Sequence, residues 1–357
     1  MHDAAHVFVG LSGGVDSSVA AARLLCAGYR VTGVFIKVWQ PDFLRCDWEA
    51  ERLDAMRVAA TLGIPFLTCD ATERYKADVV DYLVREYRAG RTPNPDTMCN
   101  RHVKFGAFLE FADAHGADRI ATGHYAQRFD TDGTSALYRG ADTEKDQSYF
   151  LSLLTSTQLS RALFPVGDSS KAVIRTEAAE YGLPTAEKPD SQGVCFLGAL
   201  DMKEFLTHFM PQTPGVVQDE RGEVLGAHDG VYFYTIGQRH GFRITASDAR
   251  TEPHYVVAKD IERNTLTVST EKSRTEPGRA SDTILLADTN WLVDALPDEV
   301  LVQTRYRQAP VPARVTRGEK SSAKIHLSAP LELPATGQIC AVYEGSRCLG
   351  GGTIVGG

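Results

Sequence analysis

The chain has 357 residues, with 38 basic against 46 acidic side chains, a formal charge of −8, and 43% hydrophobic and 24% charged residues. That composition excludes collagen-like, disordered and coiled-coil chains, and the length favours two or three domains over a single core. No apolar run approaches the roughly 20 residues of a membrane span, and a start that carries Asp3 and no basic flank argues against a secretory signal. Seven cysteines, at 26, 46, 69, 99, 195, 340 and 348, form no close CxxC pair. A sparse, odd set of this kind fits a reducing, cytoplasmic setting. The acidic total speaks against indiscriminate nucleic-acid binding but leaves room for one basic face that binds RNA.

In chain order, HVFVGL (6–11) reads as a buried strand and 18–27 as an alanine-rich helix. VTGVFIKV (31–38) is a second strand, and 49–62 a helix with Leu53, Met56 and Ala60 on one face. IPFLTCD (64–70) gives a third strand, helical patterns follow at 74–89 and 103–115, and DRIATGHY (118–125) gives a fourth. Strands alternating with helices predict a parallel sheet covered on both faces, an α/β domain over 1–205. After the break at PQTPG (211–215), short β-branched and aromatic runs dominate: VYFYTIG, HYVVAKD, TLTVST, TILLADTNW, VLVQTRY, VPARVT, AKIHL and QICAVYEG. These predict a small middle β domain, 206–275, and a C-terminal β-barrel, 276–357, divided by EKSRTEPGRAS (271–281).

GLSGGVDSS (10–18) lies between the first strand and its helix, where free backbone N–H groups point at an anion. Gly13 and Gly14 permit a tight turn, and Ser12, Ser17 and Ser18 bring hydroxyls. Asp16 is out of place in a phosphate cradle unless a cation intervenes, and Mg²⁺ is one such cation. The string is neither GxxxxGK[ST] nor GxGxxG.

Two cysteines stand out. Cys99, in RTPNPDTMCNRHVKFG (91–106), falls near a helix N-terminus with His102 and Lys104 nearby; Pro93 and Pro95 keep the preceding segment out of helix, and Asp96 or Thr97 is placed to cap. Cys195, in SQGVCFLG (191–198), sits between glycines. Either one read alone is equally a small packed side chain. Together they supply what sulfur transfer needs, one thiol to carry a persulfide and another to release its sulfur as a disulfide forms. Cys26 and Cys69 read as core, and Cys340 and Cys348 lack histidines at zinc spacing.

SGGVDSS is similar to the signature of the ATP-pyrophosphatase (PP-loop) group. GLSGGVDSS, AGRTPNPD, ATGHYA, KDQSYFL, LFPVG, SQGVCFLG, YTIGQR and VQTRYRQ, in this order over nearly the whole chain, resemble the bacterial tRNA-specific 2-thiouridylases. That resemblance implies a Rossmann-like catalytic domain binding ATP with Mg²⁺ through Gly10, Leu11, Ser12, Gly13, Gly14, Val15, Asp16 and Ser17, with Ile36 and Gly123 against adenosine. It implies adenylation of O2 of a wobble uridine, a persulfide on Cys195, and attack by Cys99, with Asp96 beside the reacting groups. Resemblance to related thiolation enzymes offers a second scheme, behind the persulfide route because it needs an extra component: Asp96, Cys99 and Cys195 as ligands of a 4Fe-4S iron–sulfur cluster. Contacts to tRNA are implied for Asn94, Pro95, Asp96, His124, Lys145, Asp146, Gln147, Arg305, Tyr306 and Gln338.

In RYR (305–307), strand alternation would put both arginines on one face, with Arg314, Arg317, Lys320 and Lys324 nearby for phosphates. The expected partners are lysine, glutamate and glutamine tRNAs and a sulfur-relay protein or cysteine desulfurase, with the enzyme a monomer and no membrane involved. KVWQPDFLRCDWEAE (37–51), with its extra Cys46, departs from the family pattern. Two other readings explain the phosphate loop but leave the cysteines idle: a PP-loop ligase acting on a small metabolite, and a non-catalytic adenine-nucleotide sensor.

Overall fold

The computed structural model describes residues 4–43, 48–189, 201–245, 252–270, 280–332 and 334–357. Its first layer is built from β1 (His6–Gly10), β2 (Arg30–Lys37), β3 (Phe66–Asp70), β4 (Arg119–Ala121) and, after a hairpin of β5 (Ala126–Thr131) and β6 (Thr134–Arg139), β7 (Ala162–Leu163). The order β3-β2-β1-β4-β7 is parallel throughout. Alternation along β1 sends Val7 and Val9 to the face covered by helices α1 (Val15–Cys26) and α2 (Trp48–Leu62). Phe8 goes to the opposite face, with Val79, Leu83, Phe105 and Phe108. Both faces are apolar, as the alternating strands and helices lead one to expect.

The face of α2 is not the expected one. Leu53 and Met56 are 45% and 38% exposed, and Ala60 is exposed too; Ala55, Val58 and Ala59 are the buried residues. That face lies against the phosphate loop: a Cβ on Gly13 would stand 2.7 Å from Glu51 O and 3.5 Å from Ala55 N, so the close approach of loop and helix requires glycine in the loop. The predicted helix at 74–89 is present as Thr72–Tyr75, Lys76–Asp81 and Tyr82–Arg88 in continuous succession, the middle part π-helical. The one predicted at 103–115 starts earlier. Pro95–Cys99, Asn100–Ala107 (π-helical) and Phe108–Ala114 follow one another without a break. Pro95 does not keep the segment out of helix; it opens the helix at its first position, where a missing N–H costs nothing.

The middle sheet comprises β8 (Gly215–Gln218), β9 (Val224–His228), β10 (Arg243–Ile244), β11 (Tyr255–Asp260) and β12 (Thr265–Ser269), ordered β10-β9-β8-β12-β11. VYFYTIG contributes no strand to it, because Val231–Phe233 is a 3₁₀ turn. In the last part, β13 (Ala280–Trp291), β14 (Val300–Gln303), β15 (Val311–Arg317), β16 (Ala323–Glu332), β17 (Ile339–Glu344) and β18 (Arg347–Gly356) form a six-stranded barrel closed by β13–β18 pairing. Ile284, Val302, Ile325, Val342 and Ile354 fill it. The hairpin from the first part joins this barrel: β6 pairs with β18, Leu137 opposite Cys348 and Tyr138 opposite Arg347. One apolar cluster runs from Phe8 through Phe205 and Val256 to Ile339 and Tyr343, so all three parts share a core.

Candidate functional site

β1 ends at Gly10, and Leu11 N donates to Val34 O, which carries the chain over the carboxyl end of the sheet. Open α/β sheets bind ligands at that end. Gly13 has φ +73°, the left-handed region that other residues enter at a cost. Gly14 caps α1 in extended conformation without a side chain, so no side-chain cap covers the first-turn N–H groups. The loop braces itself through hydroxyls: Ser17 Oγ accepts from Ser12 N and donates to Gly14 O. Ser18 is turned inward, donating to Gly14 O at 2.8 Å and accepting from Thr185, so it is framework and not ligand donor. This cradle fits the phosphates of a nucleotide: a concave backbone, a helix N-terminus and no Cβ at Gly14.

The cation beside Asp16 comes from the chain itself. Lys171 Nζ donates to both carboxylate oxygens at 2.7 and 2.8 Å, and Tyr125 OH donates to one of them at 2.7 Å. Both carboxylate oxygens thus accept hydrogen bonds, and lone pairs remain on the carboxylate, so a cation accompanying the phosphates still fits beside it. Lys171 begins a helix, Lys171–Glu180, capped by Ser170. Its place at the loop could not be read locally, since 155 positions separate it from Asp16; the only pointer is that it follows closely on the LFPVG string. Gly123 lies two residues past β4, which ends at Ala121 rather than at 123, and a Cβ there would lie 2.6 Å from Ser17 N, so glycine is required by contact with α1. Ile36, at the end of β2, is half-buried and lies near Gly10.

Cys99 closes the short helix Pro95–Cys99 and is only 4% exposed. The cap is Asn94, not Asp96 or Thr97: its side chain accepts from Thr97 N at 3.1 Å. Asp96, one helical turn before Cys99, is pushed above the ordinary carboxylate range by burial, with the charge of Lys104 working in the other direction. Lys104 also bears on His124, which full burial holds well below the usual histidine value. His124 is therefore neutral, with Nδ1 2.7 Å from the Thr122 hydroxyl. Phe105, in the same helical run as Asp96 and Cys99, packs on His124 at 5.7 Å and so brings that run against the Gly123–Tyr125 segment at the phosphate loop.

The residues assigned to RNA fall into two groups. Asp146 is buried and accepts from Gly140 N, Ser148 N, Ser148 Oγ and Arg139 Nη1. Gln147 exchanges bonds with the backbone of Tyr125, accepting from its N–H and donating to its carbonyl. Both frame Tyr125, and Lys145 beside them is half-buried. Gln338 donates to Thr92 O and Pro93 O, next to Asn94 and the buried Pro95.

The expectation for RYR fails: these residues form a turn after β14, Arg307 has φ +61°, and the Gln308 side chain ties Thr304 and Arg305 together. Arg305 is exposed, while Tyr306 packs on Phe150 at 4.6 Å. Arg317 is spent on Val293 O and Asp294 O; Arg314 and Lys324 are exposed on the barrel.

Cys195, its flanking glycines and Cys46 lie outside the described residues. Cys69 is buried and pushed up to about 11, Cys348 to about 12, and Cys340 is raised by complete burial, so all three are held as thiols. Cys26, expected in the core, is exposed at the end of α1. Among the described residues no group of three His, Cys, Asp or Glu side chains is arranged to hold a metal. No described helix is long and apolar enough to cross a membrane.

Residues 5–199 match the family described as tRNA methyl transferase HUP domain, 203–270 the tRNA methyl transferase PRC-barrel domain, and 281–354 the aminomethyltransferase beta-barrel domain. The tRNA-specific 2-thiouridylase MnmA of Akkermansia muciniphila is 45% identical over 351 residues, covering 98% of this chain and 98% of that protein. MnmA 2 of Geobacillus kaustophilus is 45% identical over 353 residues, covering 98% and 94%, and MnmA of Idiomarina loihiensis 43% over 355, covering 98% and 95%.

Proposed function

The chain belongs to the tRNA-specific 2-thiouridylase family, and from that premise we propose that it thiolates C2 of the wobble uridine in tRNA at the expense of ATP. One observation carries the reading: a buried cysteine helix and a phosphate loop are joined, Phe105 of the helical run from Pro95 packing on His124 at 5.7 Å while Gly123 and Tyr125 beside it touch Ser17 and Asp16. A ligase acting on a small metabolite, or a nucleotide sensor, has no use for that junction.

The chemistry follows from what each half offers. Uracil O2 is a poor leaving group; its attack on the α-phosphorus of ATP releases pyrophosphate and makes it a good one. The α1 N-terminus and the loop backbone hold the phosphates, while Ile36 and Gly123 bound the adenosine. Lys171, held by Asp16, brings positive charge to the same region, where charge develops as pyrophosphate leaves. The terminal sulfur of a Cys195 persulfide then bonds to C2 as AMP departs. Attack of Cys99 on the Cys195 sulfur breaks the S–S bond, leaves sulfur on the base, and forms a Cys99–Cys195 disulfide that a cellular thiol reduces. A carboxyl disposed to keep its proton, as Asp96 is, suits proton transfer to or from the base. No step here uses an iron–sulfur cluster.

The reaction partners are taken to be tRNAs with a wobble uridine and a persulfide-carrying donor. Asn94, Pro95 and Gln338 adjoin the start of the Cys99 helix and Arg305 is exposed, which supports the former as a lining for a flipped base and the latter as a contact to the RNA backbone. The test incubates the protein with ATP, a persulfide donor and unmodified tRNA, and analyses digested nucleosides for 2-thiouridine. Product is expected from the wild type and none from Cys99→Ser or Cys195→Ser, while Lys171→Met lowers pyrophosphate release about a hundredfold. Normal product from either serine variant refutes the two-thiol scheme.

A further inference from the structure

Between the helix ending at Arg88 and the cap residue Asn94, the chain passes through Gly90, Arg91, Thr92 and Pro93. This short strap is gripped from two sides. On the side of the middle sheet, Lys259 of β11 donates through Nζ to Gly90 O and to Tyr234 O, both at 2.7 Å. The Thr235 hydroxyl next to Tyr234 lies 3.1 Å from that of Thr92. On the barrel side, Thr92 N donates to Thr336 O at 2.8 Å, and Gln338 Nε2 donates to Thr92 O at 2.7 Å and Pro93 O at 3.3 Å. Arg91 is pinned to Glu86 by paired bonds of 2.6 and 2.8 Å. The N–H, carbonyl and hydroxyl of Thr92 are therefore all engaged by the two β parts.

The strap cannot absorb a displacement. Pro93 and Pro95 fix φ on either side of Asn94, so a shift at Gly90 is handed on to the helix start that carries Asp96 and Cys99. Gly90 O lies just past the C-terminus of the helix Tyr82–Arg88, where carbonyls outnumber intrahelical donors and an ammonium is favoured. Lys259 thus ties the middle sheet to the segment that aims the thiol, by a charge-assisted bond at a helix end.

We propose that Lys259 is a positioning residue for Cys99: its ammonium, bridging Gly90 O and Tyr234 O, sets the strap and through it the stance of the Cys99 helix. The middle sheet, which lends no residue to the phosphate loop, acts on the sulfur step at this point. The proposal rests on the thiolation reading for its kinetic arm alone.

The test compares wild type, Lys259→Met and Lys259→Arg as full-length chains. Lys259→Met is expected to lower kcat for 2-thiouridine formation about tenfold, with KM for ATP and for tRNA moving less than about twofold. The rate of Cys99 alkylation by iodoacetamide, mapped by peptide mass spectrometry, should change by about threefold or more, and Lys259→Arg should restore both. A purely structural lysine would lower Tm without the kcat-against-KM split and without the labelling change, and that result overturns the proposal. So does a folded Lys259→Met variant with wild-type kcat and labelling. If Lys259→Met does not fold, Thr235→Val, which removes one hydroxyl contact, takes its place under the same criteria. Wild-type protein that makes no 2-thiouridine sinks the thiolation reading instead, while the labelling arm still decides the role of Lys259.

Discussion

Burial raises the Asp96 carboxyl above the ordinary carboxylate range against the pull of Lys104. A group whose folded pKa is raised keeps its proton longer in the folded chain, so stability is lost as pH rises from the ordinary aspartate value through the raised one. Asp96→Asn should therefore raise the urea midpoint at pH 7 and leave it unchanged in acid well below the ordinary aspartate value. The same substitution should lower thiolation about a hundredfold or more, because asparagine carries no proton to exchange. A midpoint that falls at pH 7 would show that the carboxylate, not the acid, is the form the fold favours. At this scale the sequence discloses Asp96, Cys99 and the loop glycines, whose neighbours in the chain supply the context. It does not disclose Lys171 or the part Lys104 plays, because each acts on a residue brought near only by folding.

The hairpin of β5 and β6 turns through Asp132 and Gly133, both with positive φ (52° and 77°), the geometry a two-residue loop needs to match strand twist. Gly133→Val forces a β-branched side chain into that region and should cost about 1–2 kcal/mol, read as a lower Tm, with thiolation changed less than about twofold. Loss of activity without loss of stability would mean that the hairpin has a direct part in the reaction. Asp132-Gly133 carries the usual mark of such a turn, yet no hairpin is among the elements predicted above; its union with β18 leaves no local trace either, since the two strands lie far apart in the chain. The central strands were readable as apolar runs because both sheet faces are covered. The α2 face and RYR misled for different reasons: in one, the helix turns Ala55, Val58 and Ala59 inward beside the phosphate loop, and in the other a Gln308-braced turn replaces a strand.

Among the described residues, four histidines spread over the molecule respond alike to acid. His6, His102, His124 and His228 are all lowered from 6.5, desolvation being the largest cause for each. Below that ordinary value the unfolded chain binds protons that the folded one refuses, so stability should decline as pH falls through 6.5 and below. Equilibrium urea unfolding at a series of pH values checks this, and a flat profile between pH 7 and 5 would contradict it. The shared apolar cluster implies that the three parts unfold together. The junction of β6 with β18 also has a meaning for biosynthesis. The first of these strands leaves the ribosome about two hundred residues before the second, and until then its outer backbone groups have no mate. Chains that stall or are cleaved within that interval would emerge with a ready template for mispairing, so the making of β18 decides whether the free side of β6 is sealed or sticky.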